Sequence, residues 1–191
     1  SLTVRTENSD KITISDTGVI TGIAEGYAKV KITDTTNGYE TYITVKVVNE
    51  NSKLELGSKF SVGLRADGTV WTWGSNLYGE LGINSNESYI DEPKEVKALS
   101  NIVDIGAGDY HAVALNNNGE VYTWGLNNNG QLGLGNTNNQ KQPVKVAGLS
   151  NIVKVDAYKH ITVALDKDGY VYVCGQGYEN SFEKIEYIPG K

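Results

Sequence analysis

The stretch that decides the fold covers residues 116–135 and reads Asn-Asn-Asn-Gly-Glu-Val-Tyr-Thr-Trp-Gly-Leu-Asn-Asn-Asn-Gly-Gln-Leu-Gly-Leu-Gly. A close copy, Arg-Ala-Asp-Gly-Thr-Val-Trp-Thr-Trp-Gly-Ser-Asn-Leu-Tyr-Gly-Glu-Leu-Gly, covers 65–82, and a shorter one, Asp-Lys-Asp-Gly-Tyr-Val-Tyr-Val-Cys-Gly, covers 166–175. The turn glycines Gly68, Gly119 and Gly169 are therefore 51 and 50 residues apart (119 − 68 and 169 − 119). Such a period is typical of stacked arrays such as propeller blades, because one unit cannot bury its apolar face alone.

Each repeat is predicted to contain four strands, A to D. Strands B and C are joined by Asp67-Gly68, Asn118-Gly119 or Asp168-Gly169, which favour a hairpin because both turn positions tolerate positive φ. We predict an all-β fold with about three four-stranded β-propeller blades, which is too few to close a ring. The predicted strands are 54–56, 60–64, 69–73 and 94–96 in the first blade (54–98), 102–105, 111–115, 120–124 and 144–146 in the second (102–148), and 152–155, 161–165, 170–174 and 184–188 in the third (152–188).

The pattern at 70–82 and 121–133, a Trp-Gly pair followed by Asn and then by Gly-x-Leu-Gly, resembles the repeat of the regulator of chromosome condensation family. The resemblance covers residues from about 54 to 188. It implies a seven-bladed propeller whose members share the binding of protein partners rather than a reaction. The third repeat departs from the pattern after Gly175, where Gln176-Gly177-Tyr178-Glu179 replaces the Asn and the Gly-x-Leu-Gly tail. A different outer loop is therefore expected there.

Residues 1–49 differ in kind from the repeats. Apolar and polar residues alternate over 28–33 and 43–48 on either side of an Asn37-Gly38 turn, which predicts an antiparallel hairpin with one wet face. Residues 12–30 resemble the C-terminal half of a bacterial Ig-like domain of the second group. A full sandwich of this type needs about 80 to 100 residues, so we expect a small, partial sandwich cut from a longer protein. Residues 50–53 are polar and are predicted to form the linker to propeller repeats over 54–191.

Composition excludes several classes of function. The net charge is −6, and Lys and Arg are scattered, whereas a nucleic-acid surface needs a basic stripe. No apolar stretch is long enough to span a bilayer, so membrane insertion is not expected. The single cysteine, Cys174, excludes an internal disulfide framework.

Candidate catalytic groups are few. His111 and His160 are the only histidines, and each has an Asp nearby, Asp109 and Asp156, so an acid–base or metal pair is one interpretation. His111 aligns with Phe60 of the first repeat, however, which favours packing. Cys174 takes the place of a repeat tryptophan and is interpreted as a small core residue without a base beside it.

Other motifs are interpreted as structural. Asp166-Lys167-Asp168-Gly169 falls short of a calcium loop, which needs more oxygen ligands. The glycine cluster after residue 129 lacks the helix of a dinucleotide site. No catalytic residue, metal site or cofactor is therefore predicted. Core packing is also preferred over ligand stacking for three tryptophans on strands C, namely Trp71, Trp73 and Trp124.

Strand order gives a sharper indication. If the strands alternate in direction, the A–B and C–D loops emerge on one face, and these are the long loops. Aromatic residues on loops held by a rigid scaffold are typical of binding surfaces, although several of them could instead cover blade edges. The candidate partner-binding residues on this face are Tyr78, Tyr89, Tyr110, His111, Tyr158, His160 and Tyr178.

The sequence thus favours a non-enzymatic module that binds a protein partner, in a secreted or wall-attached protein of a Gram-positive bacterium. Glycan binding, or an accessory role to a glycan-processing enzyme, is the alternative. A hydrolase that uses His160 with Asp156 is a third and weaker hypothesis.

The blade count adds an expectation about association. Three blades leave apolar flanks without a neighbour, and we expect either self-association through them or membership of a longer propeller. The flank residues predicted to lack a neighbour are Val62, Leu64, Val163 and Leu165.

Overall fold

The computed structural model describes residues 2–23, 26–47 and 52–185. It divides into two units, Ser1–Glu50 and Asn51–Lys191. All regular secondary structure in the described residues is β-strand. Among the same residues there is no helix with the length and apolarity needed to cross a membrane.

The first unit is built from two small sheets. Strands β1 (Leu2–Thr6), β4 (Gly26–Asp34) and β5 (Glu40–Val47) form an antiparallel sheet in the order β1-β4-β5. Strands β2 (Ile12–Ile14) and β3 (Ile20–Gly22) form a separate hairpin. The β4–β5 hairpin is the one that the alternating pattern predicts, except that residue 48 lies outside the described residues. Its inward residues Ala28 and Val30 pack with Ile12 of β2 in a core that the three fully buried side chains share.

The second unit contains three four-stranded antiparallel sheets, each with its strands in chain order. The all-β fold with propeller blades is therefore confirmed. Blade 1 consists of β6 (Lys53–Leu56), β7 (Phe60–Leu64), β8 (Val70–Ser75) and β9 (Tyr89–Glu95), blade 2 of β10 (Ile102–Ala107), β11 (His111–Asn116), β12 (Val121–Gly125) and β13 (Gln140–Lys145), and blade 3 of β14 (Ile152–Tyr158), β15 (Ile161–Asp166), β16 (Val171–Gly175) and β17 (Glu183–Ile185).

Strand boundaries differ from the prediction mainly at two places. The first strands of blades 2 and 3 continue two or three residues further than predicted, because small residues such as Ala107 and Ala157 carry little strand signal but are buried in the blade contact. The last strands of blades 1 and 2 begin earlier, at Tyr89 and Gln140, in polar sequence without alternation. The predicted end of the last strand, residue 188, lies outside the described residues.

Each blade has two different flanks. We call the flank that faces the next blade in the chain the forward flank and the opposite one the rear flank. Val62 and Leu64 of blade 1 are buried on its forward flank against blade 2. The prediction that they lack a neighbouring blade is wrong. The alternation of residues along a strand separates its two faces but does not show which face packs against the next blade. Val163 and Leu165 of blade 3 lie at the equivalent places and remain half-exposed on its forward flank.

Candidate functional site

The A–B and C–D loops lie together on one face of the propeller unit, which we call the loop face. Hydrogen bonds join the two kinds of loop: Ser75 N donates to Lys59 O, Leu126 N to Tyr110 O, and Gln176 N to His160 O. The A–B loops of neighbouring blades are joined as well, because Asp109 N donates to Lys159 O at 2.9 Å. The short B–C turns contact the links between blades on the opposite face, where Lys167 N donates to Asn151 O.

The long C–D loops of blades 1 and 2 are fixed from inside by one asparagine each. In blade 2 the fully buried Asn127 accepts from Leu132 N at 2.9 Å and donates to Asn136 O and Asn138 O. Asn76 makes the corresponding bonds in blade 1. Buried hydrogen bonds of this kind, between a side chain and the main chain, hold a loop in a single conformation. The loop face is therefore a firm platform.

Apolar side chains project from this platform. Tyr158, at the end of β14, is 69% exposed, and Lys159 Nζ lies 5.3 Å from the centroid of its ring. Tyr78 packs edge-on against Tyr110 with the ring centroids 5.5 Å apart, which joins the C–D loop of blade 1 to the A–B loop of blade 2. Tyr178 is exposed on the C–D loop of blade 3, whereas Tyr89, predicted to lie on a loop, is exposed as the first residue of β9.

Sequence reasoning missed Leu77, whose side chain is 66% exposed in the C–D loop of blade 1. Comparison of the repeats contains the signal that would have identified it. Blade 2 has Asn128 and Asn129 at the places of Leu77 and Tyr78. Tyr78 also packs against Tyr110, whereas Leu77 is a large apolar side chain at an exposed position that the sister repeat fills with asparagine.

His111 does not belong to the binding surface, and its assignment there is corrected. It is fully buried between blades 2 and 3, where its Nε2 lies 2.7 Å from Thr162 Oγ1. Thr162 donates its single hydroxyl proton to Gln131 O at 2.6 Å, so His111 must donate its Nε2–H to Thr162 Oγ1. His160 is half-buried at the neighbouring A–B loop.

Burial and the neighbouring His160 lower the pKa of His111 from 6.5 to about 3. A folded-state pKa below the unfolded value means that the unfolded chain takes up a proton first. Stability is then full above pH 6.5 and falls as the pH drops from 6.5 toward 3.

We predict that His111→Phe removes this acid sensitivity. Phe60 fills the equivalent place in blade 1, so the ring fits. Between pH 7 and pH 4.5 the wild-type chain should lose about 2 to 3 kcal/mol more unfolding free energy than the variant. Urea denaturation at a series of pH values measures this difference. The carboxyl groups are the same in both chains, so their contributions to the pH dependence of the unfolding free energy cancel. Parallel pH profiles would contradict the assignment.

The other candidate groups for chemistry are not assembled. Among the described residues neither histidine hydrogen bonds to a carboxylate, and Asp156 Oδ1 instead accepts from Ala157 N at 2.8 Å. Burial raises the pKa of the Cys174 thiol to about 12, which keeps it protonated. No cluster of three His, Cys, Asp or Glu side chains suited to a metal ion occurs in the described ranges.

The tryptophans divide into two groups. Trp124 is fully buried, and its Nε1 donates to Glu80 O of blade 1 at 2.8 Å. Gly82, in the same loop, permits this contact, since a β-carbon there would lie 2.8 Å from the indole nitrogen. Trp71 and Trp73 of blade 1 are only half-buried, so the core assignment holds fully for Trp124 alone.

Two family models match the repeats. The model of the regulator of chromosome condensation (RCC1) repeat matches residues 67–115 and 118–165. A second model of the same repeat matches 52–80 and 102–131. The matched residues make up more than half of the 191-residue chain.

Individual proteins agree with this result. The chain is 43% identical over 93 residues to the E3 ubiquitin-protein ligase HERC2 of Homo sapiens, an alignment that covers 48% of this chain and 2% of HERC2. Yeast RCC1 (Prp20), solved with Kap60 bound, superposes with a TM-score of 0.63 at 21% identity, over 86% of this chain and 46% of that one. Human WBSCR16 superposes with a TM-score of 0.62 at 22% identity, over 86% and 54%. The chain thus spans about half of these solved propellers and a small part of HERC2.

Proposed function

Because the chain belongs to the regulator of chromosome condensation (RCC1) repeat family, we propose that its propeller unit is a non-enzymatic module that binds a protein partner through the loop face. Exposed apolar side chains on a firm platform carry this proposal, since preorganised anchors lose little entropy on binding. A propeller of similar fold, yeast RCC1, has been crystallised with the protein Kap60, which supports a protein as the partner class.

The central observation is the apolar set formed by Leu77, Tyr78 and Tyr158. Tyrosines of this kind serve as interface anchors because the ring buries a large area while the hydroxyl keeps a hydrogen bond. The opposite face presents polar turn residues such as Asn117 and Lys167, both exposed. The two faces therefore differ in the chemistry that partner proteins prefer.

The variant Leu77→Asn/Tyr78→Asn/Tyr158→Ala tests the proposal. Its two asparagines copy blade 2, so the loop should keep its conformation and the melting temperature should change little. The partner is first captured with the wild-type chain, identified and purified. We expect the variant to bind this partner about 2 kcal/mol more weakly, which is a loss of affinity of about thirtyfold. Isothermal titration measures the loss.

The matched control is Asn117→Ala/Lys167→Ala on the opposite face, which should bind as the wild-type chain does. An equal loss in this control would refute the loop face as the binding site. Selective binding to a glycan array, with no protein partner of measurable affinity, would favour the glycan-binding alternative.

We further propose that the module belongs to a secreted or wall-attached protein of a Gram-positive bacterium. The resemblance of residues 12–30 to a bacterial Ig-like domain supports this setting, because such domains are typically strung along surface proteins. An all-β first unit with its own small core is compatible with it. Antibody labelling of intact cells tests the setting, and labelling that requires permeabilised cells would contradict it.

A further inference from the structure

An open groove lies between blades 2 and 3, beside the last strand of each. Its volume is about 540 Å³, which is within the usual range for sites that bind small molecules. One wall is formed by residues of blade 2 between Gly133 and Gly148, and the other by Tyr172, Ser181 and Phe182 of blade 3. None of the three apolar anchors on the loop face lines this groove, so it is separate from the site proposed above.

The contact between blades 1 and 2 is built in the same way as the contact between blades 2 and 3. At each contact a loop carbonyl accepts a hydrogen bond from the next blade, Glu80 O from Trp124 and Gln131 O from Thr162. The two contacts can therefore be compared position by position.

The side chains at the place of the groove are longer at the first contact than at the second. The residue paired across the strands with the buried threonine of the third strand is Lys94 in blade 1 and Val144 in blade 2. Three residues further along, blade 1 has Lys97 where blade 2 has Ala147. The groove therefore depends on the sequence of blade 2 and does not follow from the fold alone.

The lining of the groove combines apolar and polar groups. Tyr172 and Phe182 are half-buried and pack against the core between blades 2 and 3. Gln140 donates from its amide nitrogen to Asn138 O, but its Oε1 has no hydrogen-bond partner in the described part of the chain. The hydroxyl of Ser181 has none there either. Aromatic rings and free hydrogen-bonding atoms are thus available to one ligand.

Charge limits the class of that ligand. Among the described residues, Lys145 is the only charged residue that lines the groove, and its ammonium group is paired with the carboxylate of Glu120. No unpaired charge is therefore present to attract an anion or a cation. A wholly apolar ligand would remove Gln140 and Ser181 from water without replacing their hydrogen bonds, which costs free energy. A neutral ligand with apolar faces and a hydroxylated rim satisfies both conditions.

We propose that this groove binds one ring of a neutral sugar. An apolar C–H face of the ring packs against Tyr172 and Phe182, since aromatic side chains offer a large apolar contact area. The sugar hydroxyls donate to Gln140 Oε1 and form hydrogen bonds with Ser181 Oγ. The inference goes beyond the proposed protein partner and does not depend on it, because the two sites share no anchor residue.

Titration of the ¹⁵N-labelled chain with neutral sugars tests the proposal. The probes are glucose, galactose, mannose and N-acetylglucosamine, each added alone. We expect at least one of them to shift the amide resonances of Gly135 and Gly148, which line the groove. A single ring in an open groove makes few contacts, so the expected Kd is on the order of 1 mM.

A variant that fills the groove identifies the site. Val144→Lys/Ala147→Lys copies the residues of blade 1, so the fold should be kept and the melting temperature should change little. We expect this variant to bind the sugar at least tenfold more weakly and to bind the protein partner as the wild-type chain does. If it does not melt cooperatively, Gln140→Ala/Ser181→Ala decides in the same way, because it removes only the polar contacts.

The loop-face variant Leu77→Asn/Tyr78→Asn/Tyr158→Ala is the matched control and should bind the sugar with unchanged affinity. A loss of sugar binding in this control would place the sugar on the loop face and overturn the proposal. Sugar binding that persists in both groove variants would overturn it as well, and so would the absence of shifts at tenfold higher sugar concentration. Tighter binding of glucuronate than of glucose would contradict the neutral class of ligand.

Discussion

Trp124→Ala is expected to lower the free energy of unfolding by about 4 kcal/mol. The indole is fully buried between blades 1 and 2 and donates to Glu80 O. Removal of the indole leaves a large cavity and leaves the buried Glu80 carbonyl without its hydrogen-bond donor. Both effects lower the free energy of unfolding. Urea denaturation followed by circular dichroism measures the change.

Trp73→Ala is the matched control, because it removes the same side chain at the equivalent place on the half-exposed rear flank of blade 1. We expect it to cost less than half as much as Trp124→Ala. Trp124→Phe separates the two causes, since it keeps most of the volume and loses the donor. Equal losses for Trp73→Ala and Trp124→Ala would contradict the asymmetry of the two flanks.

Gly125→Ala is expected to cost about 4 kcal/mol or to prevent folding. Gly125 has φ of +100°, and a β-carbon there would lie 2.5 Å from Tyr110 O and 2.8 Å from His111 Cα. Both atoms are main chain and cannot move aside without breaking the contact between the A–B and C–D loops. Expression yield and thermal melting report the effect.

Gly148→Ala isolates the backbone contribution. Gly148 has φ of +81°, but among the described residues no atom beyond its own chain neighbours lies within 4 Å of the position that a β-carbon would take. This variant should therefore cost only about 1 to 2 kcal/mol. A similar loss in both variants would show that steric contact with the A–B loop is not the cause.

The repeat pattern was sufficient to predict the blades, because turn glycines and apolar strands recur at one period. It could not predict which flank of a strand meets the next blade, and Val62 and Leu64 were misassigned for that reason. The arrangement of interface contacts depends on residues one repeat apart, which only the assembled blades bring together.

His111 illustrates the same limit within the candidate site. Its place in the repeat suggested packing, and its place beside a long loop suggested exposure. Thr162, 51 residues later, resolves the choice because its hydroxyl holds the imidazole in the blade contact. Tyr78 and Tyr178 were easier to place, since their loop position determines the face on which they lie, whereas Tyr89 and Tyr158 lie at strand ends.

The unlike flanks of each blade bear on how such an array arises and diverges. Each repeat carries both the loop carbonyl and the donor that meet at the contact between two blades. A repeat copied by tandem duplication can therefore pack against the original repeat without further change. We expect a later substitution on one side of such a contact to require a second substitution on the other side. Blade 3 has Cys174 where blade 2 has Trp124, and it has Thr162 where blade 2 has Ala112, so that the Thr162 hydroxyl donates to the same kind of carbonyl. In related arrays, the residues that meet at one contact between blades are thus expected to be substituted together.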